Sequence, residues 1–349
     1  MSKIKLGFIG AGFMGQMAHL QNYAQINDCE IYAIAETKKK QAERVAQIYK
    51  IPNIYEDYRK MLEDPAIDAV VAAQPFGNHV NFVPDVLKAG KHLMTEKPLC
   101  IYAENGRKLA ELAREAGKIH MVGYHKRSDL AAEYALGVIT EWKKSGELGK
   151  MKYIRITMPP GDWVGGCRDA YMSDEENFTF KQESIPQGID EKTHRMYESF
   201  VNYYIHQVNL MRYFMGEDYK LTFADRSGIL MAVESQSGIP GLLEMEPYHT
   251  TDAWQEQALV CFEKGWVRID YPAPLASQQA GRVTIFNNAG EQGITSSPQL
   301  PNVHAMLNQA RNFVKAVRGE KSAPCVSAEA VKDLDIAMNY IRMFQNCPL

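Results

Sequence analysis

Ile4-Lys5-Leu6-Gly7-Phe8-Ile9-Gly10-Ala11-Gly12-Phe13-Met14-Gly15 is the stretch whose reading decides the fold. Its first six residues read as a short buried strand, and three glycines follow with the spacing G-x-G-x-x-G. A segment without proline comes next, with Met17, Leu20, Tyr23, Ala24 and Ile26 at roughly helical spacing. Strand, glycine turn and helix are the context in which this motif carries meaning. Gly10 permits a tight turn, Gly12 lets backbone approach a pyrophosphate, and Gly15 lets helix and strand pack closely. The helix N-terminus offers unpaired N–H groups and a positive dipole end to phosphates.

The second strand, Glu30 to Ala35, ends at Glu36, twenty-one residues after Gly15. A carboxylate there can accept from both adenosine ribose hydroxyls and repels a 2′-phosphate, which favours NAD. Lys38, Lys39 and Lys40 follow, and one of them can cradle a phosphate, so NADP remains the less favoured alternative. Expected cofactor contacts are Gly10, Gly12, Phe13, Met14, Gly15, Glu36, Thr37 and Lys38.

The alternation continues. Ala42 to Tyr49 reads as helix, a short helix lies around Lys60 to Glu63, and Ile67 to Ala73 is the next buried strand. Val80 to Ala89 is a helix closed by Gly90, Tyr102 to Ala116 a helix closed by Gly117, and Ile119 to Gly123 one more strand. Between those helices runs Gly90-Lys91-His92-Leu93-Met94-Thr95-Glu96-Lys97-Pro98-Leu99. Proline restricts the residue before it to extended backbone, so Lys97 is expected at a strand's C-terminal end. In open α/β sheets ligands bind at that end. Lys97 is then either a surface ion-pair partner or the polar centre of an active site.

After Gly123 the pattern changes. A helix from about Leu130 to Lys144 leads into a strand, Met151 to Met158. Further strands are expected at Lys220–Ala224, Ile229–Glu234, Leu242–Pro247, Ala258–Phe262, Trp266–Asp270 and Val283–Phe286, and two helices close the chain. The expected architecture is an α/β N-terminal Rossmann domain with a doubly wound parallel sheet, residues 1–123, and an α+β domain with a large, mostly antiparallel sheet, residues 124–349. A polar insertion from Pro159 to Tyr197, with Trp163 in it, is placed where it can cover a substrate cleft. From Glu198 to Met215, Glu198, Asn202, His206, Asn209 and Tyr213 fall on one stripe of a helix. Side chains of that kind can orient sugar hydroxyls.

Bulk properties narrow the function. At 349 residues, 46% hydrophobic and 23% charged, the chain is expected to be a soluble two-domain protein. A net charge of -3 gives no electrostatic reason to expect nucleic acid or an anionic membrane as partner. The run from Met1 to Leu6 enters a strand at once, which predicts no signal peptide and a cytoplasmic location. Six scattered cysteines (Cys29, Cys100, Cys167, Cys261, Cys325, Cys347) suit a reducing compartment and form no zinc pattern, and no metal is expected.

These motifs resemble the glucose–fructose oxidoreductase / inositol dehydrogenase / MocA family over nearly the whole chain. The likeness rests on the G-x-G-x-x-G and on Gln74-Pro75-Phe76-Gly77-Asn78-His79, similar to the family's T-P-x-x-x-H. The G-K-H-x-x-x-E-K-P run to Pro98, Gly123 to Arg127, the G-E-L-G turn at 146–149 and the histidine helix complete it. The resemblance implies cofactor contacts at Gln74, Pro75, Asn78, His79, Glu96, Lys97 and His125. It also implies Lys97 and His206 as the catalytic pair, and a homodimer or homotetramer formed through the open sheet face. Asn202, Tyr204 and Asn209 stand where the family motif has aspartate, glycine and aspartate. A neutral amide can hydrogen-bond a hydroxyl but cannot take its proton.

Oxidising a secondary alcohol requires a base and the nicotinamide to flank one carbon. Imidazole, with a pKa near ~6.5, suits that role near neutral pH. His206 is therefore read as the base and Lys97 as the group holding the oxygen, with the reverse assignment open. Tyr124, His125, Arg127, Trp163, Asn202 and Asn209 are expected to meet a sugar, cyclitol or glycoside, with oxidation at C3 of a glycoside as one form. Two alternatives accompany this reading: an NAD-dependent glycosidase using transient oxidation, and a non-catalytic nucleotide-binding regulator.

Overall fold

The computed structural model describes residues 2–158, 161–166, 169–176, 178–245 and 254–346. Contacts divide the chain into two units, one of Met1–Tyr124, Cys167–Glu191 and Met306–Leu334, the other of His125–Gly166, Lys192–Ala305 and Asp335–Leu349.

The first unit is built on β1 (Ile4–Ile9), β2 (Cys29–Ala35), β3 (Asn53–Tyr55), β4 (Ala69–Ala72), β5 (His92–Thr95) and β6 (His120–Val122). They form one parallel sheet in the order β3-β2-β1-β4-β5-β6. The order reverses between β1 and β4, and a crevice at the carboxyl ends of such strands is the binding place of this topology. All four residues of β4 and the last four of β1 are buried, as strands covered on both faces require. The helices are α1 (Gln21–Tyr23), α2 (Lys39–Tyr49), α3 (Tyr58–Leu62), α4 (His79–Lys88) and α5 (Ala103–Glu115).

The helix expected to run from the glycine turn through Ile26 differs. Gly15–Leu20 winds as a π-helix, all six residues buried, and α1 adds only three more before the chain turns. Wider π winding accommodates an additional residue in the turn, a feature common near functional sites. β3, a three-residue edge strand, is also additional to the expected elements.

In the second unit α6 (Leu130–Ser145) precedes β7 (Met151–Met158), and α7 (Glu191–Met215) precedes β8 (Tyr219–Ala224), β9 (Leu230–Ser235) and β10 (Pro240–Met245). β11 (Glu256–Phe262), β12 (Gly265–Tyr271), β13 (Arg282–Asn287) and β14 (Ile294–Ser296) follow. Of the last two helices, α8 (Ala305–Val317) belongs to the first unit from Met306 on, and α9 (Ser327–Gln345) passes from the first unit to the second after Leu334. The eight strands lie in the order β14-β13-β12-β11-β7-β10-β9-β8, with β7 and β10 parallel and the other pairs antiparallel. β11 and β12 alternate buried and half-buried residues, the pattern of a sheet with one face on a core. Trp142 of α6 meets Phe262 edge-on at 5.3 Å. α7 packs where β10 has Gly241: a Cβ there would lie 2.8 Å from Met211 Sδ and Met215 Cε.

α7 starts at Glu191, so the expected insertion ends earlier than Tyr197. Pro159, Cys167, Cys347 and the last two residues of the expected Leu242–Pro247 strand lie outside the described residues; the cysteines at 29, 100, 261 and 325 are free thiols. Among the described residues no helix is long and apolar enough to cross a membrane, and no group of His, Cys, Asp or Glu is placed to hold a metal.

Candidate active site

The glycine loop separates two kinds of constraint. Gly10 has φ +92°, and a Cβ there would lie 2.8 Å from Ala73 O; a Cβ on Gly15 would lie 2.7 Å from Gly10 O. Both are demanded by packing within the protein. Gly12 differs: among the described residues, its two chain neighbours aside, no atom lies within 4 Å of its virtual Cβ. That open space beside the loop is what the close approach of a dinucleotide's phosphates needs, and the loop fits such a group. Phe13 and Met14, half-buried, lead into the π-helix.

Ala11 is the hub of this loop. Its N–H donates to Glu36 Oε2 at 2.8 Å, and its carbonyl accepts from Gln16 Nε2 (2.7 Å) and Gln41 Nε2 (2.9 Å). Glu36 Oε1 accepts from Lys38 N at 3.1 Å and from Thr37 Oγ1 at 3.4 Å. The acidic residue at the end of β2 is thereby fixed against the loop.

Beyond β4, Asn78 Nδ2 donates to Gln74 Oε1 at 3.3 Å, just after Pro75. His79 is fully buried, its Nδ1 2.9 Å from Leu99 O, and burial holds its imidazole below the ordinary value. It ties down the chain that follows Pro98.

Lys97 sits two residues past β5, half-buried, with its N–H donating to Glu96 Oε2 at 3.2 Å. Glu96 is buried and receives His19 Nε2 at 2.7 Å. Burial pushes the Glu96 carboxyl up, but the His19 hydrogen bond and the His19 and Lys97 charges outweigh it and hold it below the usual carboxylate value.

In the second unit, a 3-10 turn carries His125–Ser128, all buried. The His125 ring meets His206 of α7 edge-on, centroids 4.5 Å apart. Arg127 Nε donates to Asn209 Oδ1 at 2.5 Å, and its guanidinium lies 4.9 Å from the Tyr213 ring centre. Asn209 is 1% exposed and commits its carbonyl oxygen to Arg127. Asn202 on the same stripe is exposed, and so is Trp163, whose carbonyl accepts from Leu275 N. Tyr124 is buried in the first unit. A narrow cavity beside His125 is lined by Lys126, Asp129, Tyr271, Gln279 and His304.

Several residues were invisible to motif reading. Lys126 Nζ lies 2.5 Å from Glu256 Oε2, and Glu256 also accepts from Gln207 Nε2 (2.6 Å) and Trp254 Nε1 (3.0 Å). The ammonium faces the Tyr271 ring at 5.3 Å. His19, Gln16 and Gln41 likewise stand outside the motif; only the place of His19, four residues after Gly15, hinted at a role.

Residues 4–124 match an oxidoreductase family described by its NAD-binding Rossmann fold. The chain is 26% identical to the myo-inositol 2-dehydrogenase of Thermotoga maritima over 229 residues, 64% of this chain and 58% of that one. It is 29% identical over 150 residues to the D-glucoside 3-dehydrogenase of Escherichia coli, 43% of this chain and 42% of that one. These matches thus span 42 to 58% of the relatives' length. Among solved structures, a levoglucosan dehydrogenase in complex with NADH and levoglucosan shares the fold with TM-score 0.72 at 17% identity, covering 99% of this chain and 98% of that one.

Proposed function

We infer that this chain, which belongs to the glucose–fructose oxidoreductase / inositol dehydrogenase / MocA family of oxidoreductases, moves hydride between NAD and a secondary hydroxyl of a sugar, glycoside or cyclitol. A bound NAD would supply the hydride acceptor for the carbinol carbon. The hydroxyl proton goes to His206, Lys97 holds the oxygen, and the ketone leaves. The observation carrying this reading is the half-buried His206 set edge-on to buried His125 on a helix that also carries Asn202 and Asn209. Imidazole is the side chain most often used as a general base in such proton transfers. Glu96, ionised against His19, accepts from the Lys97 backbone N–H and so helps hold that residue in place.

Substrate selection follows from the same groups. His125, Arg127 and Trp163 supply donors and an aromatic surface suited to a ring bearing several hydroxyls, including a glycoside oxidised at C3. The half-buried outer face of the second unit's sheet, with Trp266 stacked on Phe286, is proposed as the surface of a homodimer or homotetramer.

The test is reduction of NAD with a panel of inositols, free sugars and glucosides, with the product ketone identified. Turnover confined to acyclic alcohols or amino acids would defeat the reading. Aglycone release without net NADH would move it to a glycosidase that reoxidises its cofactor within each cycle.

A further inference from the structure

We propose that Asp174 and Glu175, far in sequence from the glycine loop, help set the preference for NAD over NADP by occupying the groups that would receive a 2′-phosphate. The inference rests on the reading of the glycine loop as a dinucleotide site.

The carrier is the stretch of the insertion that belongs to the first unit, which is bonded to the rest of that unit from Tyr171 to Glu183. Tyr171 N–H donates to Gln16 Oε1 at 2.9 Å, and Gln16 Nε2 returns a bond to Tyr171 O at 2.7 Å. Ser173 N–H donates to Gln41 Oε1 at 3.1 Å. Further on, Asn81 Nδ2 donates to Lys181 O at 2.9 Å, and Ile101 N–H donates to Glu183 Oε1 at 2.7 Å. Gln16 and Gln41 are the two side chains that hold the Ala11 carbonyl, so the insertion and the glycine loop share the same clamps.

This seating places two carboxylates at the start of α2. Glu175 accepts from Lys40 N (3.0 Å) and Gln41 N (3.3 Å), and Asp174 lies 3.0 Å from Lys40 Nζ. Glu36 already takes the N–H of Lys38, the residue before the helix. Helix-terminal amides and a nearby lysine are the groups an added phosphate would use. Here the amides are engaged by carboxylates and Lys40 is paired, while Lys39 faces Glu43 at 4.0 Å. A 2′-phosphate on a ribose held at Glu36 would have to displace Glu175 and meet like charge, whereas the 2′-hydroxyl of NAD would not. Asp174 and Glu175 thus stand in the place of the phosphate.

Fluorescence titration of the full chain with NADH and NADPH reads this directly. Asp174→Asn/Glu175→Gln should tighten NADPH on the order of tenfold and leave NADH within about twofold. Glu175→Asp, which keeps the charge, should retain the wild-type ratio, and thermal melts confirm that each variant is folded. An unchanged NADPH/NADH ratio in the double variant, or equal shifts for both dinucleotides, would overturn the proposal and leave the segment as a clamp. Failure of the wild-type chain to bind either dinucleotide would instead remove the reading on which it rests.

Discussion

His19 Nε2 lies 2.7 Å from Glu96 Oε1 with both side chains buried, joining the π-helix after the glycine loop to the residue before Lys97. The two residues are 77 positions apart. The pair makes one mechanical unit of the cofactor loop and the lysine, because Glu96 also receives the Lys97 N–H.

Removing His19 should therefore cost stability and displace Lys97 together. His19→Ala leaves a buried carboxylate short of a partner, and a loss of about 1–3 kcal/mol is expected in urea unfolding. Glu96→Gln keeps a hydrogen-bond acceptor and should cost less. In the double variant the losses should fall short of their sum; strict additivity would show that the two side chains do not interact.

How much of this was legible follows from range. β1, Gly10 to Gly15 and Glu36 declare themselves because apolar runs and glycine spacing are local signals. Alternation in β11 and β12 separates the second sheet from the first for the same reason. β3 and β14, three residues each, are too short for any periodicity to mark them. The bonds of Gln16 to Tyr171 span 155 positions, and no pattern along a chain encodes such a pairing. The helical stripe through His206 is readable, but its burial is not: Asn202 is exposed and Asn209 enclosed, a difference made by neighbouring elements.

The first unit should lose stability in mild acid. Burial, with His79 beside it, pushes the His120 imidazole down to about 3; burial also lowers His79 and His92. The unfolded chain protonates these groups near ~6.5, so below that pH it binds more protons than the folded chain. Stability is full above this window and falls as pH drops through it, by up to about 1.4 kcal/mol per pH unit for His120 alone. Glu96 acts lower down: its depressed carboxyl contributes stability above the ordinary carboxylate value, lost as pH falls through its folded value. Denaturant midpoints measured from neutral pH to mild acid check the slope, and a flat profile would count against buried neutral histidines.

Gly12 offers a separation of folding from binding. Among the described residues, chain neighbours aside, a Cβ there meets no atom within 4 Å, so Gly12→Ala should alter unfolding by no more than about 1 kcal/mol. It should weaken NADH binding by about tenfold or more, since the methyl enters the space left for the phosphates. Gly15→Ala, whose Cβ would lie 2.7 Å from Gly10 O, should lose both. Unaltered NADH affinity in Gly12→Ala would place the phosphates elsewhere.

Lys126 and Glu256 form a buried ion pair 2.5 Å apart, with side chains 4% and 0% exposed. Glu256→Gln removes the charge that balances Lys126 and should cost about 3–5 kcal/mol. Lys126→Met strands the carboxylate among Gln207 and Trp254 and should cost a similar amount. Replacing both should restore much of the loss, a signature that a denaturant-monitored double-mutant cycle can read.

The proton chemistry proposed for His206 and Lys97 separates in kinetics. Residue 202 on the His206 stripe is asparagine, whose neutral amide cannot take a hydroxyl proton in place of either residue. His206→Asn should lower kcat by about 100-fold or more, because general base catalysis typically contributes 100- to 10,000-fold. Lys97→Ala should lower kcat comparably while NADH still binds in both variants, as measured by fluorescence titration. Lys97→Arg keeps the charge but not the compact ammonium and should recover only part of the loss. Retention of wild-type kcat in both His206→Asn and Lys97→Ala would remove the assignment, and loss of NADH binding in either would mean that the residue serves the cofactor.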